Sequence, residues 1–150
     1  GHEHVVFTNT INDAHLQDLE SVKYCPMVFQ ERIEKQLELR VTIVGHEIFA
    51  YSVNSAVAER SATDWRKDGI GLMDSWDPYE LPADIRQKLL NFMDVYGLNY
   101  GAIDIILSPD NQYYFLEVNA AGEYFWLDKL CDHALSRQIA HVLLGKATRR

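Results

Sequence analysis

Glu38 to Val44 and Glu47 to Val53 alternate polar and apolar side chains around Gly45-His46. A period of two predicts a half-buried strand on each side, and the dipeptide suits a two-residue hairpin turn with Gly at positive φ. The pattern returns in Tyr100-Gly101-Ala102-Ile103-Asp104-Ile105-Ile106 and in Tyr113-Tyr114-Phe115-Leu116-Glu117-Val118-Asn119. These runs flank Ser108-Pro109-Asp110-Asn111, a turn-forming cluster that predicts a second hairpin. Between the hairpins, Ile85, Leu89, Phe92 and Met93 fall on one helical face. Pro82 suits the first turn of that helix and Gly97 its end. Thr10-Ile11-Asn12-Asp13 reads as a cap for a helix from about Asn12 to Val22. Pro26 to Ile33, with Met27-Val28-Phe29 as its apolar part, reads as a buried strand. A final helix is expected from about Asp128 to Leu144, packed through Leu130, Ala134, Ile139, Val142 and Leu143. The order is helix, strand, hairpin, loop, helix, hairpin, helix. It predicts an α+β fold, an antiparallel sheet with helices packed on one side.

The second hairpin carries the most chemical information. If its loop runs from Pro109 to Gln112, Ser108 faces Tyr113 and Asp104 lies across from Glu117, with Asn119 on the same face. Opposed carboxylates repel and weaken a sheet unless a cation lies between them. Asp, Glu and an Asn carbonyl are hard oxygen donors, suited to Mg²⁺ shared with nucleotide phosphates. The ordinary alternative is a pair of solvent-facing carboxylates. Apolar neighbours and the third donor at matching parity favour the cation.

Other candidates are weaker on local evidence. Glu38 and Arg40 share one side of a strand, and a guanidinium there can meet a phosphate or carboxylate with paired hydrogen bonds. On local evidence alone a surface ion pair explains them better. Asp64-Trp65-Arg66 lies in the long polar stretch from Asn54 to Tyr79. There Arg66 either closes over a charged intermediate or belongs to a solvated turn. Gln30-Glu31-Arg32-Ile33 either offers backbone and an apolar side chain to a purine or is simply a strand end.

Composition narrows the class. A chain of 150 residues fits one domain. Its start, Gly1-His2-Glu3-His4, lacks Met, which suits a segment of a longer protein. The net charge of −8 argues against a nucleic-acid surface. No run approaches the ~18 apolar residues that span a bilayer. Cys25 and Cys131 are too few and too far apart for a disulfide framework or zinc motif, and as buried free thiols they suit a cytoplasmic protein. The six histidines show no ligand spacing.

Taken in order, Cys25-Pro26, Phe29-Gln30-Glu31, Lys35, Glu38-Leu39-Arg40-Val41, Asp64-Trp65-Arg66, Gly101-Ala102-Ile103-Asp104 and Phe115-Leu116-Glu117-Val118-Asn119 resemble the C-terminal half of an ATP-grasp ligase. Within that superfamily they are most similar to ligases that cross-link microviridin-type ribosomal peptides (graspetides). The resemblance runs from Val5 to Gly145. It implies Mg²⁺ ligands at Asp104, Glu117 and Asn119. It places Gln30, Glu31 and Ile33 against adenine and Glu38 on the ribose. Arg40 and Arg66 become catalytic groups that neutralise phosphate oxygens. The implied cofactors are ATP and Mg²⁺, and the implied reaction joins a carboxylate to an amine or hydroxyl through an acyl phosphate. The substrate would be a peptide, or a free amino acid in a glutamate- or glutathione-type ligase; a catalytically inactive binding module is the other alternative. The chain departs from the family in lacking a Gly-rich phosphate loop and an earlier-strand lysine. Ala56 stands where Gln is expected, and Ala120-Ala121-Gly122 offers no arginine. The expectation is a single C-terminal ATP-grasp domain over 1–150, inactive without its N-terminal partner domain, with a homodimer left open.

Overall fold

A computed structural model describes residues 8–17, 19–25, 27–54 and 75–147. Its elements are α1 (Asp13–Gln17), a 3-10 helix (Leu19–Tyr24), β1 (Leu37–Val44), β2 (Glu47–Val53), β3 (Asp77–Pro78), α2 (Ala83–Tyr96), β4 (Tyr100–Leu107), β5 (Tyr113–Asn119), α3 (Phe125–Leu130) and α4 (Ala134–Leu143). The strands form one antiparallel sheet in the order β3-β2-β1-β4-β5. The α+β class and both hairpins follow the sequence pattern. Val44 pairs with Glu47 around Gly45, whose φ of 60° only glycine adopts freely. Gly97, at φ 68°, ends α2: its N–H donates to the Asp94 carbonyl (3.3 Å) and the Leu98 N–H to the Met93 carbonyl (2.9 Å).

Helices cover both faces of the sheet, not one. On the first face Leu39, Val41, Ile43, Ile103 and Ile105 pack against Leu89 and Met93 of α2. On the second, Val44, Tyr51 and Val53 pack with Trp76, Leu127 of α3 and Leu135 of α4. The cause is visible in β1, where Val41 to Val44 is buried on consecutive positions. A strand covered on both sides reads as a continuous apolar run.

Three further expectations change. Residues 27–33 form no strand, and Met27, Val28 and Phe29 are exposed, Val28 at 90%. The predicted first helix is two short pieces with no buried residue. The predicted last helix is broken at residues 131–133, where Asp132 and His133 take φ of 48° and 57°. The buried stripe is Leu127 before the break and Leu135 beyond it, with Ile139 and Val142 partly buried, while Leu130 and Leu143 are exposed. Both cysteines are free, but Cys25 is exposed. Among the described residues no helix is long and apolar enough to cross a membrane.

Candidate functional site

Among the described residues, helices cover only part of the second face of the sheet. Its helices stop short of Glu38, Arg40, Asp104 and Ile106, which are half-buried, and of Glu117 and Asn119, which are exposed. Strand pairing brings these residues together. Arg40 is the partner of Asp104 across β1–β4, Asp104 of Glu117 across β4–β5, and Ala102 of Asn119. Paired residues share a face, so one row reads Arg40, Asp104, Glu117, with Asn119 one step along.

This register depends on a bulge. At the turn end of the hairpin Leu107 pairs with Tyr113, Ile106 with Tyr114 and Ile105 with Phe115. The expected pairing of Ser108 with Tyr113 is therefore off by one. Ser108 instead closes the turn: its N–H donates to the Gln112 carbonyl (3.0 Å), and its hydroxyl accepts the Gln112 N–H (3.1 Å). The shift between Asp104 and Ile105 leaves Leu116 as the extra residue and restores Asp104 opposite Glu117. Tyr114, Phe115 and Leu116 are exposed on this edge strand.

The charges form a connected line. Lys35 donates to the Glu38 carboxylate, with both side chains nearly buried. Arg40 Nη1 donates to Asp104 Oδ1 at 2.8 Å, with side chains 11% and 24% exposed. Burial pushes the Asp104 carboxyl above the usual carboxylate range. Arg40 pulls it back only in part, because Glu117 and Glu38 also raise it. Arg40 Nε and Thr42 Oγ1 are buried polar atoms with no hydrogen-bond partner among the described residues. A guanidinium N–H left over beside a carboxylate that repels its neighbours is a local excess of unmet electrostatic demand.

These features fit a nucleotide-bound cation better than a free-standing metal cage. Among the described residues no group of three or more His, Cys, Asp or Glu side chains could hold an ion. Mg²⁺ on a nucleotide needs only one or two carboxylates, since phosphate and water complete its octahedron. Asp104 keeps Oδ2 after Arg40 takes Oδ1, and Glu117 is exposed beside it. Asn119 Oδ1 accepts the Ala121 N–H at 2.9 Å and retains a second lone pair.

The remaining candidates are less concentrated. Gln30 and Glu31 are exposed and Ile33 half-buried in an irregular segment that joins the sheet where Gln36 N–H reaches the Leu107 carbonyl (2.8 Å). The Glu38 carboxylate is engaged by Lys35, so any ribose contact shares it with that ammonium. Arg66 lies outside the described residues.

Two residues that support the site were not singled out from sequence. Tyr100 hydrogen-bonds the Gly122 carbonyl at 2.6 Å, holding the turn after Asn119. Asp128, 2% exposed, takes the Ser136 N–H on Oδ1 (2.9 Å) and the Ser136 hydroxyl and His133 ring on Oδ2. It thereby caps α4 across the interruption of the helix at residues 131–133. A tyrosine that opens an apolar strand, and an Asp within Phe-Trp-Leu-Asp-Lys-Leu, were the available signals, because buried polar groups require partners.

No protein-family model matches the chain. Among solved structures, a Chryseobacterium gregarium RiPP-associated ATP-grasp ligase in complex with ADP and a leader and core peptide is 52% identical. It superposes with a TM-score of 0.95 over 99% of this chain and 45% of its own. The macrocyclase MdnC from Microcystis aeruginosa MRC, bound with precursor peptide MdnA, is 43% identical, with a TM-score of 0.80 over 97% of this chain and 42% of its own. Among curated proteins, human (Homo sapiens) beta-citrylglutamate synthase B is 23% identical over 145 residues, covering 91% of this chain and 36% of that protein. The chain thus spans less than half the length of each of these relatives. Its antiparallel sheet and helices have the ATP-grasp arrangement.

Proposed function

We propose that this chain, whose fold is that of RiPP-associated ATP-grasp ligases, supplies the phosphate-facing sheet of an ATP-dependent ligase that activates a carboxylate of a ribosomal peptide. The observation that carries the proposal is the row Arg40–Asp104–Glu117 on the second sheet face. Such a row is costly in an apo sheet and becomes favourable when a cation and a polyphosphate bind to it.

In this reading Asp104, Glu117 and Asn119 hold Mg²⁺, which when bound screens the phosphate oxygens and aligns them. The peptide carboxylate attacks the γ-phosphorus of ATP, the bond to ADP breaks, and an acyl phosphate forms. An amine or hydroxyl then attacks the acyl carbon, loses its proton and expels phosphate, leaving an amide or ester. A carboxylate is a poor nucleophile toward a polyanion, so charge neutralisation and alignment lower the barrier. Arg40 contributes to both: its ion pair fixes Asp104, and its guanidinium adds positive charge beside the site where the phosphates bind. Gln30, Glu31 and Ile33 offer backbone and side chain to the adenine, Glu38 contacts the ribose, and Arg66 adds positive charge to the transferring phosphoryl group. The remaining half of the cleft comes from an N-terminal ATP-grasp domain of the full-length protein, which acts in the cytoplasm.

A ligase for free amino acids is the second reading, favoured by the similarity to beta-citrylglutamate synthase B. Mass spectrometry separates the two. Co-expressed with a precursor peptide and ATP, the full-length protein is expected to remove one water per new cross-link. Added amino-acid residues would support the second reading. An unmodified peptide, with no ATP turnover on amino acids, would contradict both.

A further inference from the structure

We infer that Tyr100 is a positioning residue for Asn119, acting through the carbonyl of Gly122; this rests on the proposed role of Asn119 as a metal ligand. Tyr100, Ala102 and Asp104 alternate onto the same sheet face, and Ala102 is the strand partner of Asn119. The chain leaves β5 at Asn119 and folds back over that face. Three contacts define how. The Ala121 N–H donates to Asn119 Oδ1 (2.9 Å), the Gly122 N–H donates to the Asn119 carbonyl (3.3 Å), and the Tyr100 hydroxyl donates to the Gly122 carbonyl (2.6 Å). The first two are internal to the turn and would survive its swinging as a unit. Of these three hydrogen bonds, the third is the one that reaches β4, the strand that carries Asp104.

Gly122 allows no slack. A Cβ there would lie 2.7 Å from the Ala102 Cβ and 3.3 Å from the Cβ and Cγ of Asn119. The turn is therefore seated against the strand, and the Tyr100 ring is held in its turn by edge contact with Tyr124 at 6.2 Å between centroids. The amide of Asn119 has one oxygen lone pair committed to Ala121, so the direction of the other is set by where the turn sits. A partner one step behind a ligand fixes its orientation, and losing it weakens metal affinity without removing a ligand.

The test uses full-length protein and Mn²⁺ binding in the presence of ADP, followed by electron paramagnetic resonance, together with the thermal midpoint of the metal-free protein. Tyr100→Phe keeps the ring and removes only the hydroxyl, and is expected to weaken Mn²⁺ binding about tenfold. Gly122→Ala, which displaces the same turn from the other side, is expected to weaken it similarly. Asn119→Ala should weaken it at least as much. Wild-type Mn²⁺ affinity in both Tyr100→Phe and Gly122→Ala, with loss in Asn119→Ala, overturns the positioning role and leaves the ligand set intact. A merely structural Tyr100 would give that result with a lowered thermal midpoint. Wild-type affinity in Asn119→Ala would remove the ligand assignment, and the role of Tyr100 with it.

Discussion

Asp104 faces Glu117 across β4–β5 while Arg40 holds its Oδ1 from the other side at 2.8 Å. The pairing sets a carboxylate between one cation and one anion, and burial raises its pKa further than Arg40 lowers it. A raised folded-state pKa has a definite sign. The ionised group costs stability that is absent below the unfolded pKa and appears as pH rises through the folded one.

Asp104→Asn should therefore raise the thermal midpoint of the metal-free full-length protein at pH 7, because the amide still accepts from Arg40 without the charge. The same substitution should lower ATP-dependent turnover at least about a hundredfold, as removal of a transition-state electrostatic group does. The gain in midpoint should shrink as pH falls toward the unfolded pKa of about 4. Calorimetry across that range, with turnover measured in parallel, checks both. A lowered midpoint at pH 7 would contradict the electrostatic account of the row.

Asp128 carries the opposite sign. Burial alone would raise its carboxyl, but hydrogen bonds from Ser136 and His133 outweigh that and hold it below the usual range. Its contribution is present above the unfolded pKa of about 4 and is lost as pH falls through the lower folded value. Asp128→Ala should cost about 1–3 kcal/mol, the penalty for stripping a buried cap from its donors. Hydrogen exchange of α4 amides near pH 7 should show that loss in protection. Unchanged protection would mean that α4 does not depend on this cap.

Thr42 is fully buried, and its hydroxyl has no partner among the described residues. Thr42→Val keeps the β-branched shape and removes the orphan, so β1 amides should gain about 1 kcal/mol of protection. A loss of similar size would show that water or a bound ligand satisfies Oγ1.

The two hairpins, the end of α2 at Gly97 and the Asp104–Glu117 pairing were legible because each rests on short-range pattern. Alternation fixes faces, and Gly45 and Gly97 sit where positive φ is needed. The bulge at Leu116 was not legible. Tyr113 to Val118 is apolar at both parities apart from Glu117, so its pattern does not fix a register. The pairing at the carboxylates was right although the pairing at the turn was one residue out.

Other differences share a cause: pattern reports which residues favour burial, not what covers them. Met27-Val28-Phe29 reads as core, yet the described residues offer it no cover. The break at residues 131–133 has no Gly or Pro to announce it; Asp132 and His133 adopt the left-handed conformation, and Asp128 caps the helix beyond. The second covered face could have been read from Val41-Thr42-Ile43-Val44, an almost continuous apolar run that one-sided cover does not explain. Tyr100 was missed because its contact with Gly122 spans 22 positions and no local pattern encodes it.

The account stands on a cation held between Asp104 and Glu117 when nucleotide is bound. Its most direct measurement is Mn²⁺ affinity of the ADP-bound full-length protein, compared with Glu117→Gln, read by electron paramagnetic resonance. Glu117→Gln should weaken Mn²⁺ binding by about tenfold or more while leaving metal-free stability unchanged or improved. Equal affinity in the two proteins would contradict it.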